Sequence, residues 1–271
     1  MANRFKMFLS FKKIFFISLF FFTYSCALNC CSASLDDYTF SYSSVLPRES
    51  FVKIEKVIKI QICPSDVKEL TQCKVQSLAS SASGFIVKND EEGSYVVTAA
   101  HVCDDTEIKT FLRMTKGAEA LEKKFEIIDI DKIRYKFFSL NYDKDIDVCV
   151  GYSYSVTKPP VRFSTYEPNS GDVVYNLAAP IGIFDENAIP ILHGNFVGIS
   201  HERALYTVPA AGGSSGSPLL NSNGELIGLI HSVYVRFPFI TISPTYKQLI
   251  DFINTNSNKD VVIMQNILET L

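Results

Sequence analysis

The sequence carries no marked excess of either charge: 26 Lys and Arg stand against 29 Asp and Glu, a formal net charge of -3. That balance leaves no basic field to hold nucleic acid or an anionic membrane surface, so no nucleic-acid partner is expected. No C-x-x-C or H-x-x-x-H spacing occurs, which argues against a zinc site, and no metal or other cofactor is expected. Repeats of the solenoid kind are lacking as well. The uncharged apolar run from Ile14 to Ala27 is fourteen residues long, short of the roughly 20 that a bilayer-spanning helix needs. What is present is ordinary globular composition, 271 residues with 47% hydrophobic and 20% charged, enough for one sizeable core or two small ones.

The N-terminus is built differently from the rest. "MANRFKMFLSFKK" carries only positive charge, the apolar run follows, and polar sequence then begins, the order of a secretory signal peptide over residues 1–33. Small-x-small sites end at Ala27 and at Ala33, and cleavage after either is open. Two alternatives stand beside it: an uncleaved anchor whose apolar part runs on from Phe8, and lipid attachment at Cys26, Cys30 or Cys31, although "TYSC" and "ALNC" match a lipobox poorly. The expectation is an exported protein, periplasmic or secreted, with membrane contact only if that segment is retained or lipidated. Export leaves Cys63, Cys73, Cys103 and Cys149, an even number consistent with two disulfides in an oxidising compartment.

Residues 34–50 are Ser- and Tyr-rich with weak periodicity and read as an extended lead-in. "FVKIEKVIKIQI" then alternates at period two through Ile58, Ile60 and Ile62, a strand pattern. "SGFIVK", "SYVVTAA", "DIDVCVGY", "DVVYNLAA", "ILHGNFVGI", "ALYTVPAA", "GELIGLIHSVYV" and "PFITI" follow at short intervals between Gly, Asn, Asp or Pro turns. This predicts a single all-β domain over residues 51–256, a barrel or sandwich, with a tail over 257–271. Two helices are predicted. A short one lies near Gly117 to Lys124; the other is "SPTYKQLIDFINT", with Ser243 as cap, Pro244 at the first helical position and Tyr246, Leu249, Ile250 and Ile253 on one face.

"TAAHVC", "DIDVCV" and "GGSSGSP" are each weak alone, since a lone His, an Asp at a strand mouth and a Gly/Ser turn are common structural features. Together they run in the order His, Asp, Ser, and the chain then resembles the trypsin-like, chymotrypsin-fold serine proteases, nearest the bacterial HtrA-like branch without PDZ domains. The resemblance covers roughly Ser83 to Asn254. It rests on "SGFIV", "VVTAAHV", "DVCVG", "GSSGSPLL" and "NGELIGLIHS" in fixed order.

The resemblance implies a double β-barrel of chymotrypsin type with a C-terminal α-helix, and a serine endopeptidase acting on protein or peptide substrates through an acyl-enzyme. It makes Ser215 the nucleophile, His101 the general base and then acid, and Asp147 the carboxylate that orients the imidazole, with Asp143 and Asp145 as rivals. Gly213 and Ser215 supply the backbone N–H groups of an oxyanion hole. Ser214 and Ser217 take non-nucleophilic positions. Pro209, Ala210, Ile230, His231, Ser232 and Val233 line the primary pocket; none is acidic, so small or medium aliphatic side chains are expected rather than basic ones. His193, His201 and His231 have no partner motif and are expected at the surface or along the cleft.

Two departures from the digestive proteases stand out. Ser214 replaces the Asp that pairs with a new N-terminus there, and no Arg-Ile-Val-Gly-Gly activation site is present. The preferred disulfides are Cys63–Cys73, closing a short loop, and Cys103–Cys149, because each of the latter lies two residues beyond a triad member; buried free thiols are the alternative. Among functions, an inactive binding or scaffold protein on the same fold is the runner-up. An α/β-hydrolase would need the order Ser, Asp, His.

Overall fold

The structure, a computed structural model, describes residues 45–63, 73–185, 188–234, 237 and 239–258. The expected signal peptide, most of the lead-in, Pro238 of "PFITI" and the tail past residue 258 lie outside the described residues. Among them, no helix is long and apolar enough to cross a membrane, and no cluster of metal-ligating side chains occurs.

Seven strands, β1 (Phe51–Ile62), β2 (Lys74–Asn89), β3 (Gly93–Thr98), β4 (Ala118–Ile128), β5 (Arg134–Lys136), β6 (Phe138–Asp143) and β7 (Val148–Tyr154), form the first sheet. Its order is β5-β4-β1-β2-β3-β7-β6, every pairing antiparallel. The second sheet holds β8 (Val173–Leu177), β9 (Ile191–Ser200), β10 (Arg203–Tyr206), β11 (Pro218–Leu220), β12 (Leu226–Leu229), β13 (Ser232–Val233) and β14 (Thr241–Pro244). There the order is β12-β11-β8-β9-β10-β14-β13. Each sheet buries its own cluster, around Ile54, Ile86 and Phe125 in the first and Val174, Tyr206 and Leu219 in the second. A third cluster joins Phe85, Val97 and Val150 of the first sheet to Leu177, Leu220 and Leu229 of the second.

Three α-helices occur among the described residues: α1 (Ala100–Cys103), α2 (Thr106–Met114) and α3 (Tyr246–Asn256). Leu249 and Ile253 of α3 are buried in the shared core. The predicted start of this helix is corrected. Ser243 and Pro244 end β14, where the Ser243 hydroxyl accepts from the Leu229 N–H, and Thr245 caps α3 in a reciprocal capping box with Gln248. The helix predicted near Gly117 to Lys124 is also corrected, because those residues enter β4 and pair with β1 from Lys53↔Ile128 to Ile62↔Ala118. Ala, Glu, Leu and Lys favour a helix locally, but the open edge of β1 gives the backbone its partners and buries Phe125 and Ile127. The helix α2 is an addition that the sequence reading did not contain. So is the packing of the lead-in's last residues, where Leu46 joins the shared core and the Ser50 hydroxyl donates to the Pro159 carbonyl.

Candidate active site

His101 lies in α1, the short helix that follows β3, with its side chain about half exposed (51%). Its backbone N–H donates to Asp147 Oδ1 at 2.9 Å, and its Nδ1 lies 2.9 Å from Oδ2 and 3.2 Å from Oδ1. With the proton on Nδ1, the ring donates to the carboxylate and leaves Nε2 as its basic nitrogen. Of the three aspartates, the structure brings Asp147 to His101. Asp143 Oδ1 accepts the N–H groups of Asp145 and Ile146 at 2.7 and 3.2 Å, an Asx turn that shapes the approach to β7. The Asp145 carbonyl accepts from the Arg203 guanidinium. Asp147 itself is held at φ 54°, a conformation that Asp tolerates better than most residues. Burial pushes its carboxyl up, but the hydrogen bond and charge of His101 outweigh this, and the group lies below the usual carboxylate range.

The loop from Ala211 to Pro218 leads into β11 and lies against Ser83 of β2 and against Thr98 and Ala99, the residues just before His101. Ser214 N–H donates to the Ala211 carbonyl at 2.9 Å, and Gly213 sits at φ 97°, as the third residue of a type II turn requires. The Gly212 carbonyl accepts from the Ile181 N–H at 2.6 Å. In a trans peptide the carbonyl and the next N–H point opposite ways, so this anchor turns the Gly213 N–H away from Ile181. Among the described residues, neither the Gly213 nor the Ser215 N–H makes a backbone hydrogen bond outside a helix or strand.

The three serines of the loop differ in their surroundings. Ser214 is 1% and Ser217 0% exposed; the first accepts from the Ala211 N–H and the second from Asn176 Nδ2. Ser215 is half-buried. Its carbonyl accepts the Ser83 N–H at 2.8 Å. The buried Ser83 hydroxyl donates to the Gly213 carbonyl at 2.8 Å and accepts from the Ala179 N–H at 3.0 Å. Strand β2 thus clamps the loop to the first sheet, a role for Ser83 that sequence reasoning missed. On the far side, the Gly216 N–H donates to the Ile230 carbonyl at 2.7 Å.

The residues expected to line the pocket lie in different surroundings. Pro209 is exposed and Ala210 half-buried, while Ser232 and Val233 form the edge strand β13. Ile230 is 2% exposed within the second sheet's core, so its side chain packs inward, while its backbone carbonyl serves the loop. His231 turns toward Asp147, with Nδ1 3.5 Å from Oδ2. A cavity of about 320 Å3 beside the pair is lined by His101, Asp147, Lys144, Arg203 and His231 among others.

Two further features brace α1. The disulfides join Cys63 to Cys73 and Cys103 to Cys149, and the second ties the end of α1 to β7 beside Asp147. Lys56 is the other brace. It sits on the inward face of β1 at 7% exposure, where Nζ donates to the Val102 and Asp104 carbonyls at 3.2 and 3.3 Å and lies 2.5 Å from Asp105 Oδ1. It therefore satisfies carbonyls at the C-terminal end of the helix that carries His101. The period-two alternation puts Lys56 on the apolar face, and that was the available signal, since a buried charge requires partners. Lys56→Met is expected to lower unfolding free energy by about 1–3 kcal/mol and to slow turnover as α1 loosens. Urea unfolding and peptide-cleavage kinetics check this, and unchanged values in both would refute the bracing role.

The family model for the trypsin-like peptidase domain matches residues 82–229, a segment that contains His101, Asp147 and Ser215. Among solved structures, the Rv3671c protease of M. tuberculosis in its active form is similar at 16% identity and a TM-score of 0.54, covering 79% of this chain and 83% of that one. The serine endoprotease of Yersinia pestis is similar at 14% identity and a TM-score of 0.55, covering 81% of this chain and 66% of that one. A comparison with curated proteins finds no match. The likeness to these structures shows the fold, a chymotrypsin-like double β-barrel.

Proposed function

The chain belongs to the trypsin-like peptidase family, and from that premise we propose that it hydrolyses peptide bonds in proteins or peptides through Ser215, His101 and Asp147. The observation that carries this reading is the pairing of His101 Nδ1 with Asp147 Oδ2 at 2.9 Å, in a fold whose one partly exposed serine in the Gly/Ser loop is Ser215.

His101 Nε2 takes the hydroxyl proton as Ser215 Oγ attacks the scissile carbonyl carbon. The resulting oxyanion meets the N–H groups of Gly213 and Ser215, which the turn fixes in advance of the reaction. Collapse of the tetrahedral species breaks the C–N bond, and the imidazolium gives its proton to the leaving amine. Water then repeats the sequence on the acyl-enzyme, releasing the acid and restoring the Ser215 hydroxyl. Throughout, the Asp147 carboxylate fixes the tautomer of His101 and stabilises its charged form. The absence of an acidic group at Pro209, Ala210, Ser232 and Val233 supports small or medium aliphatic side chains at the cleaved position. The two disulfides support an exported protein in an oxidising compartment.

Cleavage of a peptide library by the wild-type protein and by Ser215→Ala tests this. Wild type is expected to cleave after aliphatic residues, and Ser215→Ala to lose all but about 10⁻⁴ or less of that rate. Folded wild type that cleaves nothing would instead favour an inactive scaffold.

A further inference from the structure

Outside the segment matched by the family model, His231 follows β12 and turns its ring toward Asp147. The carboxylate is thereby flanked by two imidazoles. His101 reaches Oδ2 from α1 at 2.9 Å, and His231 Nδ1 stands 3.5 Å from the same oxygen on the second sheet's side. The side chain of His231 is 12% exposed, and its Nε2 is buried with no hydrogen-bond partner among the described residues. A buried imidazole with one nitrogen facing a carboxylate and the other facing nothing is best served by the tautomer with its proton on Nδ1, since a proton on Nε2 would have no acceptor.

On this basis, and resting on the peptidase reading above, we infer that His231 is a positioning residue for Asp147: its Nδ1–H holds Oδ2 from the side opposite His101. At 3.5 Å the contact is long for a hydrogen bond, as catalytic contacts without substrate often are. The partner must be neutral for this to help. Charged groups facing the ring are Asp147, Arg203 of β10 and His101 of α1, and Lys144 and Asp145 line the same cavity. Burial pushes the His231 ring down to about 4; Asp147 opposes that, while Arg203 and His101 add to it. At neutral pH the ring therefore donates a proton without cancelling the carboxylate charge that stabilises the imidazolium of His101. A cationic side chain at the same place would cancel it.

The test compares three variants of the full chain by steady-state peptide cleavage. The amide nitrogen of His231→Asn can stand near the position of Nδ1, that of His231→Gln reaches nearer Nε2, and His231→Ala has neither. His231→Ala and His231→Gln are expected to lose about tenfold in kcat with KM unchanged, and His231→Asn to recover most of that loss. Asn and Gln are similarly polar, so a general effect on folding would move both. Equal kcat in the Asn and Gln variants overturns the inference, as does a change confined to KM, which would make His231 a wall of the substrate pocket. Wild type that cleaves nothing overturns the peptidase reading first, and this one with it.

Discussion

With Asp147 replaced by asparagine, turnover at neutral pH is expected to fall by about 10⁴-fold while the fold survives. The carboxylate now accepts from His101 twice, at the backbone N–H and at Nδ1, each at 2.9 Å. An amide has one oxygen to offer. Once that oxygen is spent on the backbone N–H, the amide NH2 faces Nδ1 and favours the tautomer with its proton on Nε2, so the nitrogen that must take the Ser215 proton is already protonated. The charge that stabilises the imidazolium is lost too. Asp145→Asn is the control, because the contact at that residue runs from Arg203 to its backbone carbonyl. Steady-state kinetics beside thermal unfolding decide the matter, and comparable losses in the two variants would refute the assignment of Asp147.

Gly216→Ala is expected to cost about 3–5 kcal/mol of stability and to abolish turnover. Gly216 holds φ 81°, and a Cβ there would lie 2.2 Å from Thr98 Oγ1, 2.3 Å from the Ser83 carbonyl and 2.9 Å from the Ala99 nitrogen. Those three residues belong to the clamp on β2 and to the chain that leads into His101. Any shift that relieves the clash therefore moves Ser215 relative to His101. Gly212→Ala offers the contrast, since its Cβ would meet nothing within 4 Å and its φ is outside the left-handed region; a change below about 0.5 kcal/mol is expected. Urea unfolding of both variants measures the difference, and equal stability would show that the loop is not held as described.

The sequence made the apolar faces and the local motifs legible. The alternation read through Ile58, Ile60 and Ile62 put Ile58 and Ile60 in the core and left Ile62 half-buried, and Asp147, preferred over Asp143 and Asp145 by resemblance, is the one that the structure pairs with His101. Both preferred disulfides occur, because Cys103 and Cys149 follow residues that must meet. What stayed hidden depends on contacts across long separations. Ser83 reaches Gly213 over 130 residues and Lys56 reaches Val102 over 46, and no local pattern names such partners. Alternation marked Lys56 as inward-facing without saying what it would neutralise. His231 was expected along the cleft, and it lines the cavity there, but that its ring turns toward Asp147 depends on how the two sheets meet, which no local pattern gives. The misread helix at Gly117 to Lys124 failed for a related reason: local propensity lost to the pairing offered by β1.

Ser215 is proposed as the one activated serine. Treatment of the folded wild-type protein with a fluorophosphonate, followed by peptide mapping of the adduct by mass spectrometry, tests it directly. The predicted result is a single phosphonylated residue, Ser215, with the adduct lost in His101→Ala. An adduct on Ser214, Ser217 or any residue outside the loop, or labelling that persists in Ser215→Ala, would contradict it.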